Sequence, residues 1–192
     1  MKPIAVTTSD FPTLIGAGQV YVDKTAYFHS LITDRSRAYF FIARPRRFGK
    51  TLMMSTLKAI FEGRRELFEG LAIDSANYDW KKHPVLAFNF GGIAASSMEA
   101  FETTFAASVR DSLAAAGYSE YDSGEDPSVN FRRAMEALAK RSGTGRVVVL
   151  IDEYDDPVAK SLKDKKLAVA IRARLRREVP CPQGRTGTRG LR

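Results

Sequence analysis

The chain reads as an α/β protein with a mainly parallel sheet, because strand-like apolar runs alternate with longer stretches of helical spacing. The runs are Arg37 to Ala43, Pro84 to Phe90 and Arg146 to Ile151. The first is apolar and aromatic without alternation, as in a strand covered on both faces. The second stops at Gly91-Gly92. The third is the strongest, β-branched and apolar until Asp152. No internal repeat is present.

Between and around these runs each segment has a local reason for its assignment. The stretch "TSDFPTLIGAGQVYVDKT" is turn-rich, and Pro12, Gly16 and Gly18 break any periodicity. Asp23 or Thr25 caps a predicted helix over Thr25 to Ile32 that buries Tyr27, Phe28 and Leu31. Thr51 to Phe61 reads as a helix with Leu52, Leu57, Ile60 and Phe61 near one face, ended by Gly63. Helices are expected over Ser97 to Ala115 and Ser128 to Arg141, with "GYSEYDSGEDPS" as a surface loop between them. Lys163 to Glu178 reads as a basic helix, whereas "PCPQGRTGTRGLR" has neither periodicity nor apolar content to fold with.

Bulk properties narrow the class. At 192 residues the chain suits one domain with a real core. No apolar run reaches the length of a membrane span, and no basic segment leads into an apolar one at the amino terminus. The single Cys181 excludes an internal disulfide, and with two histidines a structural zinc site is disfavoured. A cytoplasmic location is the expectation. The net charge of +8 is confined to one end: residues 1–160 hold 20 Lys/Arg against 20 Asp/Glu, and residues 161–192 hold 10 against 2. Such a distribution points to a solvated end before it points to a nucleic-acid-binding face.

The chemistry concentrates at "RPRRFGKT", Arg44 to Thr51, between the first apolar run and a helix. A phosphate cradle needs inward backbone N–H groups, a helix amino terminus behind them and a cation reaching the β/γ-phosphates. Here Gly49 permits close backbone approach, Lys50 would contact phosphate, and the Thr51 hydroxyl would ligate Mg²⁺. Arg44 stands where the usual pattern has glycine, so a basic turn before a helix is the competing reading. A second motif favours the nucleotide site: Asp152 and Glu153 end a strand, at the edge where open α/β sheets bind ligands. The aspartate can hold Mg²⁺ and the glutamate can deprotonate an attacking water, although Asp152 as a helix cap is the plainer alternative. Asp155 and Asp156 would add charge nearby, or Asp156 caps a helix with Pro157 in its first turn. Arg46 and Arg47 face phosphates or solvent. Asn89 orients a water or satisfies loop amides. His29 and His83 have no partners at ligand spacing.

These motifs, together with "YVDKT" (Tyr21 to Thr25), "LFEGL" (Leu67 to Leu71) and "LIDEYDDPV" (Leu150 to Val158), resemble the predicted AAA-ATPase-like proteins, mostly bacterial, from about Phe11 to Arg177. In that family an arginine-proline opening replaces the glycine. The resemblance implies a P-loop NTPase-like three-layer sandwich with a mainly parallel sheet, and ATP and Mg²⁺ as ligands. It implies a nucleotide-binding stretch of Arg44, Pro45, Arg46, Arg47, Phe48, Gly49, Lys50, Thr51 and Leu52. Thr51 and Asp152 would be metal residues, and Lys50 and Glu153 catalytic ones. Longer members often carry a restriction-endonuclease-like domain, and oligomers are possible. Strand order 5-1-4-3-2 is expected, with Arg37 to Ala43 as the first strand. No apolar run after Arg177 can be strand four or five, so the sheet is expected to be incomplete at its carboxyl end. Residues 1–177 would be a partial domain and residues 178–192 a disordered basic tail, from a truncation or a shifted reading frame. Strands one and three would then pair directly, or the sheet edges stay open.

The leading functional expectation is an ATP-binding module, with Mg²⁺-dependent hydrolysis in intact relatives. The alternatives are a nucleotide-binding scaffold without turnover and a nucleic-acid binder led by the basic tail. Arg132, Arg133 and the tail arginines are arginine-finger candidates by charge alone.

Overall fold

A computed structural model describes residues 8–34, 39–43 and 48–178. In chain order these form α1 (Phe11–Gly16), α2 (Thr25–Thr33), α3 (Lys50–Phe61), β1 (Val85–Asn89), α4 (Met98–Ala115), α5 (Pro127–Arg141), β2 (Val148–Asp152), α6 (Asp156–Lys160) and α7 (Lys165–Glu178). Short 3-10 turns cover Arg65–Phe68 and Phe90–Gly92. The class is α/β, as expected. β1 and β2 pair in parallel, with Val85 opposite Val148 and Asn89 opposite Asp152.

Helices cover both faces of this pair because its side chains alternate between two apolar clusters. Leu86 and Phe88 of β1 join Phe101, Phe105 and Val109 of α4, Leu138 of α5, and Ile171 and Leu175 of α7. Val85 and Leu150 face the other way, onto Phe11 of α1, Phe28 of α2 and Met53, Leu57 and Ile60 of α3. Aromatic contacts stiffen each side: Phe101 stacks on Phe105 at 5.5 Å, and Phe11 on Phe68 at 4.8 Å. Four helices, α1, α4, α5 and α7, start at side-chain caps. Asp10 accepts from the Thr13 N–H, Ser97 from Ala100, Asp126 from Ser128, and Asp164 from Lys166 and Leu167.

Several expectations are corrected. Residues 39–43 form no strand: Tyr39, Phe40 and Phe41 are exposed, Phe41 by 82%. Residues 37 and 38 of that predicted strand lie outside the described residues. β-Propensity describes fit to a half-buried pleated surface, and residues 39–43 have no neighbouring strand among the described residues. Direct pairing of the first and third strands, one of the two alternatives expected, is therefore not seen among the described residues. The amino-terminal segment read as turns contains α1, where Asp10 caps the helix and Pro12 occupies its first turn. Tyr27 is 78% exposed, so α2 buries Phe28 without it. Asp156 is the first residue of α6; Asp155 occupies the N-cap position, without a side-chain cap bond.

Two of the quoted motifs meet in a clasp. The Asp23 carboxylate accepts the Thr25 N–H (2.8 Å), the Thr25 hydroxyl (2.7 Å) and, from across the fold, the Ala72 N–H (2.8 Å). The Thr25 hydroxyl oxygen in turn accepts the Ile73 N–H at 3.0 Å. "YVDKT" thus holds the segment directly after "LFEGL". Partial burial pushes the Asp23 carboxyl up, but the bonds from Ala72 and Thr25 outweigh it and hold the group below its ordinary value.

Gly63, just beyond α3, is required by its surroundings. Its φ is +70°, and a Cβ there would lie 2.7 Å from the Trp80 carbonyl oxygen.

Three outcomes are expected. Gly63→Ala costs at least about 2 kcal/mol, from left-handed strain plus the backbone clash, read as a lower denaturant midpoint. Asp23→Ala costs about 1 kcal/mol by the same measurement. Because the folded carboxyl titrates below its unfolded value, the stability it contributes is present above the ordinary carboxylate range. It is lost as pH falls through the lowered value, so Asp23→Asn flattens part of the acid limb of stability against pH.

Candidate functional site

The amino terminus of α3 is built from Gly49 and the residues after it. Gly49 occupies the N-cap position with φ 71° and ψ 28°, left-handed backbone in which glycine is unstrained. A Cβ there would meet nothing within 4 Å among the described residues, and the left-handed backbone by itself favours glycine. No side chain caps this helix, and its first turn holds no acidic residue. The first intrahelical bond shown runs from the Met53 N–H to the Gly49 carbonyl at 3.0 Å. The N–H groups of Lys50, Thr51 and Leu52 thus have no acceptor among the described residues, and they sit at the positive end of a 12-residue helix.

The carboxyl end of β2 meets this terminus. The Thr51 hydroxyl donates to Asp152 Oδ2 at 2.8 Å, joining residues 101 positions apart. Asp152 Oδ1 accepts the Glu153 N–H at 3.0 Å, and Asp152 is only 7% exposed. Glu153 has φ 53°, a left-handed conformation that costs a residue with a Cβ about 1 kcal/mol or more. This kink turns the chain from β2 towards α6, and it sets the Glu153 side chain beside the turn that follows β1. A Cβ built on Gly91 would lie 3.4 Å from Glu153 Cγ. Asn89 Oδ1 accepts the Gly91 N–H at 2.9 Å, so Asn89 satisfies a loop amide, the plainer of its two readings. Lys160, four residues along α6 from Asp156, pairs with that carboxylate at 2.6 Å and donates to the Gly91 carbonyl at 2.6 Å.

The fold therefore brings Gly49, Lys50 and Thr51 to the sheet edge that carries Asp152 and Glu153. Arg44, Pro45, Arg46 and Arg47 lie outside the described residues. Phe48 is 62% exposed, and Leu52 packs into the apolar cluster around α3. Asp156 is engaged by Lys160. Arg133 is held by Glu125 at 3.0 Å on the surface of α5. His83 Nδ1 lies 3.1 Å from the Thr144 hydroxyl. The sequence reading passed over Gly91 and Lys160. The i,i+4 spacing of Asp156 and Lys160 signals their pairing, but nothing in the sequence signals the reach to Gly91. Among the described residues no helix is long and apolar enough to cross a membrane.

A parallel strand pair covered by helices, with the helix terminus of Thr51 bonded to a buried acid at one sheet edge, defines an α/β protein. The chain belongs to the predicted AAA-ATPase family, whose model matches residues 3–178. It is 35% identical over 162 residues to an uncharacterized protein in the vnfD 5' region of Azotobacter chroococcum mcd 1. The match covers 84% of this chain and 30% of that relative, so the chain spans less than a third of its length. No solved structure matches it significantly.

The Thr51–Asp152 bond can be tested without any ligand. Thr51→Val removes a donor to a buried carboxylate and is expected to cost about 1–2 kcal/mol in a denaturant melt, while Thr51→Ser restores most of it.

Proposed function

We propose that this chain is the ATP-binding module of an AAA-like ATPase. The observation that carries the reading is the 2.8 Å contact between the Thr51 hydroxyl and the Asp152 carboxylate, beside the first amides of α3, which have no acceptor among the described residues. Two oxygen ligands of this kind suit Mg²⁺, which takes one or two protein oxygens and fills its octahedron with phosphate and water. Bound there, the ion would neutralise charge on the phosphate oxygens.

The protein's own groups supply the rest. The Lys50, Thr51 and Leu52 amides and the α3 dipole favour an anion at the helix terminus, and the Lys50 ammonium would bind the β/γ-phosphates. Asp152, held by Thr51 and by the Glu153 amide, keeps its carboxylate oriented. Glu153 would align a water for in-line attack and accept its proton. The region Arg44 to Arg47 would complete the loop around the phosphates. On this reading the fold is the P-loop three-layer sandwich, with residues 1–177 as the module, and helices on both faces of the β1–β2 pair support it. A cytoplasmic location, self-association and a nuclease-like domain in longer relatives follow from the same family reading.

Lys50→Ala is expected to weaken Mg-ATP binding at least tenfold by calorimetry, and equal binding by this variant would sink the proposal. Glu153→Gln is expected to keep binding and to lower steady-state phosphate release by about 10²-fold or more. Wild-type binding with no release above background would instead mark a nucleotide-binding scaffold.

A further inference from the structure

Part of the basic excess at the carboxyl end lies in α7. Lys165, Lys166, Arg172, Arg176 and Arg177 all lie in α7 and are all exposed. At about 100° per residue they fall within an arc of roughly 140° on one side of the helix. The only other side chains in that arc are Val169 and Ala173. None of the five cations has an ion-pair partner among the described residues, in contrast to Arg64, Arg65, Arg110, Arg133 and Arg141 elsewhere on the surface.

The opposite side of α7 fixes this face in place. Ala168, Ile171 and Leu175 are buried in the core. Arg174, 8% exposed, donates to Glu102 of α4 at 2.8 Å and to Asp126 at the start of α5 at 3.3 Å, with its guanidinium 5.5 Å from the Phe105 ring centroid. Asp126 is the acid that also senses Arg177, and its carboxylate is already engaged by Arg174 and Ser128. The fold thus presents a rigid cationic helix face and spends its one inward arginine on holding that face still.

We propose that the exposed face of α7 is a docking surface for the phosphodiester backbone of a nucleic-acid duplex, bound without regard to sequence. The chemistry selects this partner. Five fixed cations along about 18 Å of helix, taking a rise of ~1.5 Å per residue, match the regular phosphate charges of a duplex. Three are arginines, whose planar guanidinium bonds phosphate in a bidentate way. α7 has no aromatic residue on which single-stranded bases could stack. Its apolar side is buried in the core and unavailable to a lipid surface, leaving Val169 as the one exposed large apolar residue of the helix. The inference is independent of the nucleotide-site reading, since α7 contributes no residue to that site.

The test is fluorescence anisotropy of the full chain with a labelled random-sequence DNA duplex of about 20 bp over a range of salt from about 50 mM. The triple variant R172A/R176A/R177A is expected to bind at least tenfold more weakly at low salt. Its slope of log K against log salt should be shallower by about 3, from ~0.9 per phosphate contact. K165A/K166A should lose about 2 in slope. The charge-matched R64A/R65A/R146A should bind as the wild type does. Arg64 is half-buried and the other positions are exposed; alanine is a strong helix former, so circular dichroism should show the fold retained. An unchanged slope in both α7 variants would assign binding to the tail arginines and overturn the proposal. So would no binding at low salt, or tighter binding to anionic vesicles or polyglutamate than to the duplex.

Discussion

The parallel pairing of β1 with β2 is the constraint from which the rest of the arrangement follows. Parallel neighbours cannot be joined by a hairpin, so the chain must cross from the end of β1 back to the start of β2. It does so through α4 and α5, which cover one face of the pair. The register sets Asn89 against Asp152, so both strands end at the same edge. That edge gathers polar groups because strand ends are where side chains leave the core. The other face needs its own cover, and α1, α2 and α3 provide it.

The placement of α3 makes this sheet edge a candidate site. Its apolar side, Met53, Leu57 and Ile60, packs on Val85 and Leu150, and this brings the first turn of the helix to Asp152. A buried carboxylate without donors would be costly. Thr51 and the Glu153 amide supply the donors, so the acid stays in place as an acceptor at the mouth of a bare helix terminus. The strain at Glu153 belongs to the same arrangement. Its left-handed backbone redirects the chain over the Gly91 turn, which Asn89 and Lys160 hold from either side. Strain of this sort persists only where surrounding contacts over-determine it.

The carboxyl-terminal helix shows how one element can serve two solvents. Its inner side is aliphatic apart from Arg174, whose charge is met by Glu102 and Asp126 and by the face of Phe105. Its outer side carries only cations, alanine and one valine. Like charges along a helix repel, so this pattern lowers the helix's own stability and relies on the docked inner side to hold it.

The order of helices and the two strands that pair was legible in the amino-acid sequence, because apolar periodicity and capping residues act over a few positions. So were Gly49, Lys50, Thr51, Asp152 and Glu153 as residues of interest, because their types and order carry chemistry. The run 39–43 was misread for a physical reason: β-propensity cannot say whether a partner strand is present, and here Phe41 faces solvent. Helix α1 was hidden among Pro12, Gly16 and Gly18, where the Asp10 cap outweighs the breakers. Only tertiary structure decided that Thr51 touches Asp152, that Asp23 clasps Ala72, that Lys160 reaches Gly91, and that the cationic arc of α7 faces outward. Each of these depends on how whole elements dock, and docking is settled by the summed burial of both sheet faces, which no local stretch of sequence contains.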